Sequence, residues 1–225
     1  MIAGLLAACG GQPAPDATVT PTLVPSSTPP PAVAPNAYDN IATGFTEQGF
    51  PALGREDAPV TMIEYGSYDS NASLLAHDEI FAPLLPRIEA GELRYVYTPL
   101  SGTGSAENGG GAASAALCAG EQGAYWPYHD GLFTRLRSAG DTAFTGNALL
   151  DVADAVGLDR DAFNACLASD RPQTVLDAAA EAALSEETYS GTPTILVNGN
   201  YVLNDFFSLS TIIDQMLIRV DEETG

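Results

Sequence analysis

The stretch Val60–Phe81, VTMIEYGSYDSNASLLAHDEIF, decides the fold of this chain. It begins with a run of β-branched and aromatic residues that predicts a buried strand, passes through a Gly/Ser/Asp turn, and continues into the first turns of a helix. In that arrangement the backbone N–H groups of the first helical turn, and the positive end of the helix dipole, face Ser70–Ser73. The turn is therefore the first place to look for function.

The residues around this turn resemble a known family. Ala58–Ser73, APVTMIEYGSYDSNAS, is similar to the strand and active-site turn of the DsbA-like branch of the thioredoxin fold, whose members carry a pattern such as APVTIVEFSDYQCPYC there. This chain keeps the frame but has Ser70-Asn71-Ala72-Ser73 where the family has Cys-x-x-Cys. The resemblance implies an α/β, thioredoxin-like fold with a helical insertion.

Separated motifs extend the resemblance over roughly Gly49–Val220. Cys118–Gly123 (CAGEQG) and Tyr125–Phe133 (YWPYHDGLF) match the helical insert of the family, which we place at about residues 105–190. The GTPT sequence at Gly191–Thr194 is similar to the family's cis-proline loop. The resemblance implies that this loop faces Ser70–Ser73, and that Thr192 and Pro193 belong to a groove for an extended peptide.

The rest of the pattern predicts individual elements. A long crossover between the strands Val60–Tyr65 and Leu93–Thr98 suits a parallel βαβ unit. Pro83 and Pro86 are expected to kink or end the crossover helix, and the Gly/Ser-rich stretch 101–111 is expected to be a mobile loop. Near the end, the predicted elements are a hairpin with a type I′ turn at Asn198-Gly199, between Thr194–Val197 and Asn200–Leu203, and an amphipathic helix from Phe206 to Val220.

The acidic balance of the chain excludes two classes of partner. There are 29 acidic residues against 8 basic ones, all of them Arg, for a net charge of -21. Such a surface repels nucleic acid and anionic lipid headgroups. Two interpretations of the charge stay open: a solvated surface that favours solubility, or a face built for a cationic partner. With 225 residues, the chain can bury one substantial core.

The first residues, Met1–Cys9 (MIAGLLAAC), are similar to the end of a bacterial lipoprotein signal. Leu6-Ala7-Ala8-Cys9 resembles a lipobox, which implies that Cys9 is lipidated after cleavage. The alternative is a fragment of an ordinary secretory signal with an incidental Cys. Because no basic segment precedes the short apolar run, we expect the true start to lie upstream of Met1. The predicted location is extracytoplasmic, with a lipid anchor in the bacterial cell membrane.

Residues 10–40 are predicted to be a disordered linker, and residues 41–225 the folded domain. The linker is rich in Pro, Thr, Ala and Ser, as in Pro25–Pro35 (PSSTPPPAVAP), and has no apolar periodicity. This composition favours an extended polyproline conformation that could hold a domain up to ~90 Å from a membrane.

The side chains at the turn leave two chemical interpretations open. Ser70 and Ser73 cannot form a disulfide, and a Ser at a helix start has a structural role as an N-cap, worth about 1 kcal/mol. Ser73 and His77 are four residues apart and would share a helix face, which keeps a Ser/His nucleophilic site as the alternative. The chain has no G-x-S-x-G elbow to support that alternative.

Two further ionisable residues, Glu64 and His129, are candidates for a role at the site or in the core. The resemblance implies that Glu64 is buried beneath the active-site turn, where the family's acid helps to move protons. Here we expect a hydrogen-bonded relic of that acid, with retained proton transfer as the alternative. We expect His129, in the aromatic helix of the insert, to be a satisfied core or rim residue. Two His residues without a Cys cluster argue against a zinc site, so no metal and no cofactor are predicted.

Cys118 and Cys166 remain once Cys9 is assigned to lipid. In an oxidising compartment an even pair is typical of a structural disulfide, and many members of the family carry cysteines in similar helical contexts. Free buried thiols are the alternative.

These observations predict a lipid-anchored DsbA-like protein that binds an extended peptide or exported protein without disulfide exchange. The competing explanation is an enzyme that has decayed while keeping its fold. The alternative function is that of a thiol–disulfide oxidoreductase of the DsbA family, working through Cys118 and Cys166 or despite Ser70 and Ser73. A Ser-dependent hydrolase is the third class.

Overall fold

The computed structural model describes residues 36–202 and 206–224, and these residues are organised around one six-stranded sheet. The strand order across the sheet is β1-β2-β4-β3-β5-β6. The strands are β1 (Thr43–Phe45), β2 (Pro51–Leu53), β3 (Val60–Ser67), β4 (Leu93–Leu100), β5 (Thr194–Val197) and β6 (Asn200–Val202). The predicted Cys9 lipobox, the linker up to residue 35 and Leu203 lie outside the described residues.

The parallel pair β3 and β4 forms the centre of the sheet. Its register runs from Val60 opposite Leu93 to Ser67 opposite Leu100, which confirms the predicted parallel βαβ unit. Because side chains alternate along a strand, Glu64 projects from one face of the sheet and its neighbour Tyr65 from the other. β5 pairs antiparallel with β3, so the cis-proline loop that precedes β5 meets the carboxyl end of β3.

The crossover between β3 and β4 is helical but interrupted. α1 (Asn71–Ala76) passes into a π-helical turn (His77–Phe81), which leads into α2 (Ala82–Glu89). The expectation that Pro83 and Pro86 kink or end the helix holds only in part, because the helix continues to Glu89. Pro83 directly follows the π-helical turn, and Pro86 lies inside α2.

The helical insertion predicted between the two halves of the sheet is confirmed. It contains five α-helices between β4 and β5, and a last helix follows β6. The helices are α3 (Gly109–Glu121), α4 (Tyr125–Ala139), α5 (Ala148–Ala155), α6 (Arg160–Leu167), α7 (Arg171–Ser185) and α8 (Phe206–Thr224). None of the helices in the described part combines the length and apolar character that a membrane span needs.

Two apolar cores cover the two faces of the sheet. On the Glu64 face, α4 supplies Trp126 and Phe133 to a large core that also contains buried residues of the crossover helix and of α8. On the Tyr65 face, α7 packs its Ala179 and Ala183 against the sheet in a smaller core.

The sequence-predicted disulfide is confirmed, since Cys118 of α3 is bonded to buried Cys166 of α6. The type I′ turn is confirmed as well, because Asn198 (φ 48°) and Gly199 (φ 77°) both have positive φ. At the amino end, packing begins before the predicted boundary at residue 41, because Tyr38 is buried and its hydroxyl donates to Asp130 at 2.8 Å.

We expect the disulfide to contribute substantially to stability. Replacing both Cys118 and Cys166 by Ala should lower the free energy of unfolding by up to about 4 kcal/mol, because the bond closes a loop of 48 residues in the unfolded chain. Urea unfolding of the variant and of the wild type, each with and without reductant, measures this. Reductant should destabilise only the wild type. Two alkylatable thiols in the native wild type would contradict the bond.

Candidate functional site

Ser70 and Ser73 both have structural partners at the turn before α1. Ser70 has an extended backbone (φ -104°, ψ 120°), and its Oγ accepts the N–H of Ser73 at 3.3 Å. Ser73 is fully buried, and its Oγ accepts the N–H of Ser67 at 3.1 Å. The hydroxyl of Ser70 thus caps α1, as the sequence suggested, and that of Ser73 holds the end of β3.

Three segments of the chain meet at Thr192. The peptide bond between Thr192 and Pro193 is cis, as the resemblance implied. The Ser70 hydroxyl donates to the Thr192 carbonyl at 3.4 Å, and the Thr103 and Thr192 hydroxyls are hydrogen-bonded at 2.6 Å. We call this meeting point, formed by Ser70, Thr103, Thr192 and Pro193, the Ser70–Thr192 junction.

Asp69 holds the junction together, although no sequence motif marked it as a site residue. This carboxylate is buried and accepts the N–H groups of Gly102 at 2.6 Å and Gly104 at 3.0 Å. It also accepts the Ser67 hydroxyl at 2.5 Å. The available signal was an Asp directly before the turn together with a Gly-rich stretch that could offer free N–H groups.

The loop after β4, whose composition predicted a mobile segment, is hydrogen-bonded to the turn in the structure. Its glycines permit close approach to the turn: a Cβ on Gly104 would overlap the Asp69 carbonyl oxygen, and one on Gly109 would overlap the Asp69 carboxylate. The stretch 101–111 also ends within helix, because α3 begins at Gly109. Glycine here indicates contact with a neighbouring backbone rather than freedom of movement.

His77 lies between two carboxylates in the π-helical turn. Its Nδ1 contacts Asp78 Oδ1 and its Nε2 contacts Asp130 Oδ1, each at 2.9 Å. Carboxylates only accept, so both ring nitrogens donate when both bonds form, and the ring is then an imidazolium. Burial by itself would lower the pKa of His77, but Asp130 and Asp78 together outweigh it and raise that pKa above its ordinary value.

The Ser/His interpretation finds no support in these contacts. Both nitrogens of His77 are engaged with carboxylates, and the Ser73 hydroxyl is turned towards the backbone of Ser67. A nucleophile and its base need a mutual hydrogen bond. The hydrogen bonds formed by Ser73 and His77 do not join them to each other.

Glu64 is buried beneath the turn with a single side-chain donor. The hydroxyl of Tyr95 donates to Glu64 Oε2 at 2.9 Å. Burial raises the pKa of Glu64 to about 7, although the Tyr95 hydrogen bond opposes that rise. The hydrogen bond expected from the sequence is present, and the carboxyl group is placed to change its protonation state near neutral pH.

His129 is a core residue that is satisfied at only one nitrogen. Its Nδ1 is hydrogen-bonded to the Tyr68 hydroxyl at 2.8 Å, while its Nε2 is buried without a partner among the described residues. Burial, reinforced by the nearby charge of His77, lowers the pKa of His129 well below its ordinary value. The ring is therefore neutral, and aromatic side chains surround it on the Glu64 face of the sheet.

Comparison with protein families and sequences places this architecture among known proteins. A family model described as Thioredoxin matches residues 46–215. The Na(+)/H(+) antiporter NhaA 1 of Salinispora arenicola is 32% identical over 180 residues, which cover 76% of this chain but only 26% of the antiporter. This chain thus spans about a quarter of that relative's length. Disulfide bond formation protein D of Bacillus subtilis is 22% identical over 183 residues, covering 76% of this chain and 78% of that protein.

Comparison with solved structures confirms the α/β thioredoxin-like fold and its helical insertion. Oxidised BdbD from Bacillus subtilis superposes with a TM-score of 0.65 and 21% identity. The match covers 79% of this chain and 98% of BdbD.

The titration of Glu64 yields a pH-dependent prediction. Because its folded-state pKa is raised, the carboxyl group favours the folded state fully below about pH 4.5, and this contribution is lost as the pH rises through about 7. In Glu64→Gln a neutral amide can still accept the Tyr95 hydroxyl. Relative to wild type, the variant should gain up to roughly 3 kcal/mol in unfolding free energy between about pH 4.5 and 8.

Urea unfolding of both proteins at several pH values measures this difference. Glu79→Gln is the matched control, because it removes an exposed carboxylate from the same crossover helix. A difference between Glu64→Gln and wild type that stays constant with pH would contradict the assigned pKa.

Proposed function

Because the chain belongs to the Thioredoxin family and has a DsbA-like architecture, we propose that it binds an extended peptide or exported protein at the Ser70–Thr192 junction without disulfide exchange. The observation that carries this proposal is that hydroxyl groups stand at positions 70 and 73, whereas disulfide exchange at these positions would need thiols. Thiol–disulfide exchange begins with attack of a thiolate on a disulfide sulfur, and a serine hydroxyl cannot take that part.

The contacts at the junction suggest how a peptide would be held. An extended segment binds beside a strand chiefly through main-chain hydrogen bonds. The Thr192 carbonyl is such an acceptor, and the Ser70 hydroxyl contacts it only at the long distance of 3.4 Å. Leu75, two residues after Ser73, is 55% exposed and offers an apolar contact. The net charge of -21 favours basic segments as partners.

We further propose that the domain acts outside the cytoplasm, tethered by lipid at Cys9. The similarity of Leu6–Cys9 to a lipobox supports the anchor, and the Pro/Thr-rich composition of residues 10–40 supports a spacer. The Cys118–Cys166 disulfide is consistent with an oxidising compartment.

A thiol–disulfide oxidoreductase is the second candidate, and the comparisons favour it. One relative is named Disulfide bond formation protein D, and this chain does carry a disulfide at Cys118–Cys166. The position of this pair weighs against its use in exchange. Both cysteines are buried, so an attacking thiolate could reach them only after α3 and α6 separate.

We expect the wild-type protein to be silent in an insulin-reduction assay. The double substitution Ser70→Cys and Ser73→Cys should introduce activity, because it places a dithiol at the start of α1. The first introduced thiol should titrate below about 8.5, since the helix dipole and free N–H groups favour its thiolate.

Cys118→Ala with Cys166→Ala is the matched control for residual activity. Wild-type turnover that disappears in this variant would support the second candidate. Wild-type turnover that survives in it would contradict both assignments.

Deleting the Ser70 hydroxyl tests the binding site. Ser70→Ala frees the Thr192 carbonyl, so affinity for a basic, unfolded model polypeptide should rise about three- to fivefold, as expected for a hydrogen bond worth ~1 kcal/mol. Ser73→Ala is the matched control, because its hydroxyl contacts Ser67 and not Thr192. Binding should weaken with added salt.

Calorimetric titration at low and high salt gives the affinities, and urea unfolding corrects for the lost cap. Absence of saturable binding to wild type would contradict the proposal. Equal affinities of the Ser70→Ala and Ser73→Ala variants would place any binding elsewhere.

A further inference from the structure

A cleft of about 560 Å³ opens on the Tyr65 face of the sheet. Its floor consists of three pairs of neighbouring residues on β3 and β4: Thr61 with Arg94, Ile63 with Val96, and Tyr65 with Thr98. These side chains alternate with Met62 and Glu64, so the cleft lies on the opposite face of the sheet from the buried acid.

The cleft exists because α7 covers only part of this face. Ala179 and Ala183 are buried against the sheet, and Ala182 lines the cleft from the side. A parallel strand pair is usually covered on both faces, so exposed space along β3 and β4 is unusual. Small alanine side chains on α7 leave that space open.

The lining of the cleft is charged at one end of the floor and apolar in the middle of it. Arg94 and Thr61 form the polar end at the start of the two strands. From there Ile63 and Val96 continue the floor, and the aromatic rings of Phe45 and Phe50 are among the walls. Thr98 lies four positions after Arg94, so the floor is about 13 Å long from its polar end at Arg94 to Thr98.

Arg94 brings a positive charge into the cleft with few partners. Its side chain is only 18% exposed, and its Nε is buried without a hydrogen-bond partner among the described residues. Its nearest acid is Glu56, whose Oε1 lies 3.9 Å from Nη2 and whose side chain is 87% exposed. By contrast, Arg171 makes a two-point contact with Glu121 at 2.7 and 2.8 Å.

Clefts of this size that are mainly apolar, with one charged group at a fixed place, are typical of small-molecule sites. The planar guanidinium matches the two oxygens of a carboxylate. Glu47 and Glu56 at the rim penalise each additional negative charge, so a monoanion fits better than a dianion.

We propose that this cleft binds an apolar monocarboxylate, with the carboxylate on Arg94 and an alkyl chain along Ile63 and Val96. An extended decanoate has about the length of the floor from Arg94 to Thr98. The site is separate from the Ser70–Thr192 junction and does not depend on the function proposed for it.

Calorimetric titration of the full chain with decanoate, decanol and decyl phosphate tests the head-group assignment. Wild type should bind decanoate saturably and about tenfold more tightly than decanol. Arg94→Gln should remove this preference while leaving the affinity for decanol unchanged. Glu56→Gln should tighten decanoate binding, because it removes the acid that competes for the guanidinium.

Two substitutions on α7 test the location. Ala182→Trp should abolish binding of decanoate and decanol, because it fills the cleft, whereas Ala180→Trp on the exposed side of the same helix should not. If Ala182→Trp fails to fold, the Arg94→Gln comparison still decides. The proposal is overturned if wild type shows no saturable decanoate binding, no preference for decanoate over decanol, or tighter binding of decyl phosphate. Protein dimerisation that blocks binding would instead assign the cleft to a second copy of the chain.

Discussion

The arrangement of the candidate site depends on one buried carboxylate, Asp69. A buried anion is tolerated only when donors surround it, and here two backbone N–H groups of the following loop and the Ser67 hydroxyl do so. The loop is thereby fixed against the turn, which brings Thr103 to Thr192. Hydrogen bonds to the Asp69 carboxylate thus help to position the loop that borders the proposed groove, together with the contacts of Ser105 and Glu107 with Asp141.

Glu64 is also a buried acid, but it has far fewer hydrogen-bond donors than Asp69. Asp69 is surrounded by several donors, whereas Glu64 receives one phenolic hydroxyl, from Tyr95. The Glu64 carboxyl group responds by favouring its protonated form, and its pKa rises to about 7. The two acids lie close together in the sequence, with Glu64 in the middle of β3 and Asp69 in the turn that follows it. Asp69 accepts hydrogen bonds from the loop at the surface of the site, and Glu64 is a titratable group buried beneath it.

The fold could be predicted from the sequence because local pattern and family motif agreed from Val60 to Pro193. The disulfide and the turn at Asn198-Gly199 were predictable for the same reason. The hydrogen bond between His77 and Asp130 could not be predicted, because it joins side chains 53 residues apart that only the tertiary structure brings together. The contact of the loop with Asp69 was not predictable for a different reason: glycine is compatible both with mobility and with close contact, and composition does not distinguish them.

The Tyr38–Asp130 contact has a mechanical consequence. Any pull exerted on the domain through the chain before residue 36 reaches it at Tyr38, whose hydroxyl is held by Asp130. The same carboxylate binds the imidazolium of His77, which starts the π-helical turn six residues beyond α1's first residue. Loss of the Tyr38 contact would leave Asp130 with one hydrogen-bond donor fewer, and His77 would remain bonded to it. The amino end of the described domain and a histidine near the site are therefore joined through one shared acid.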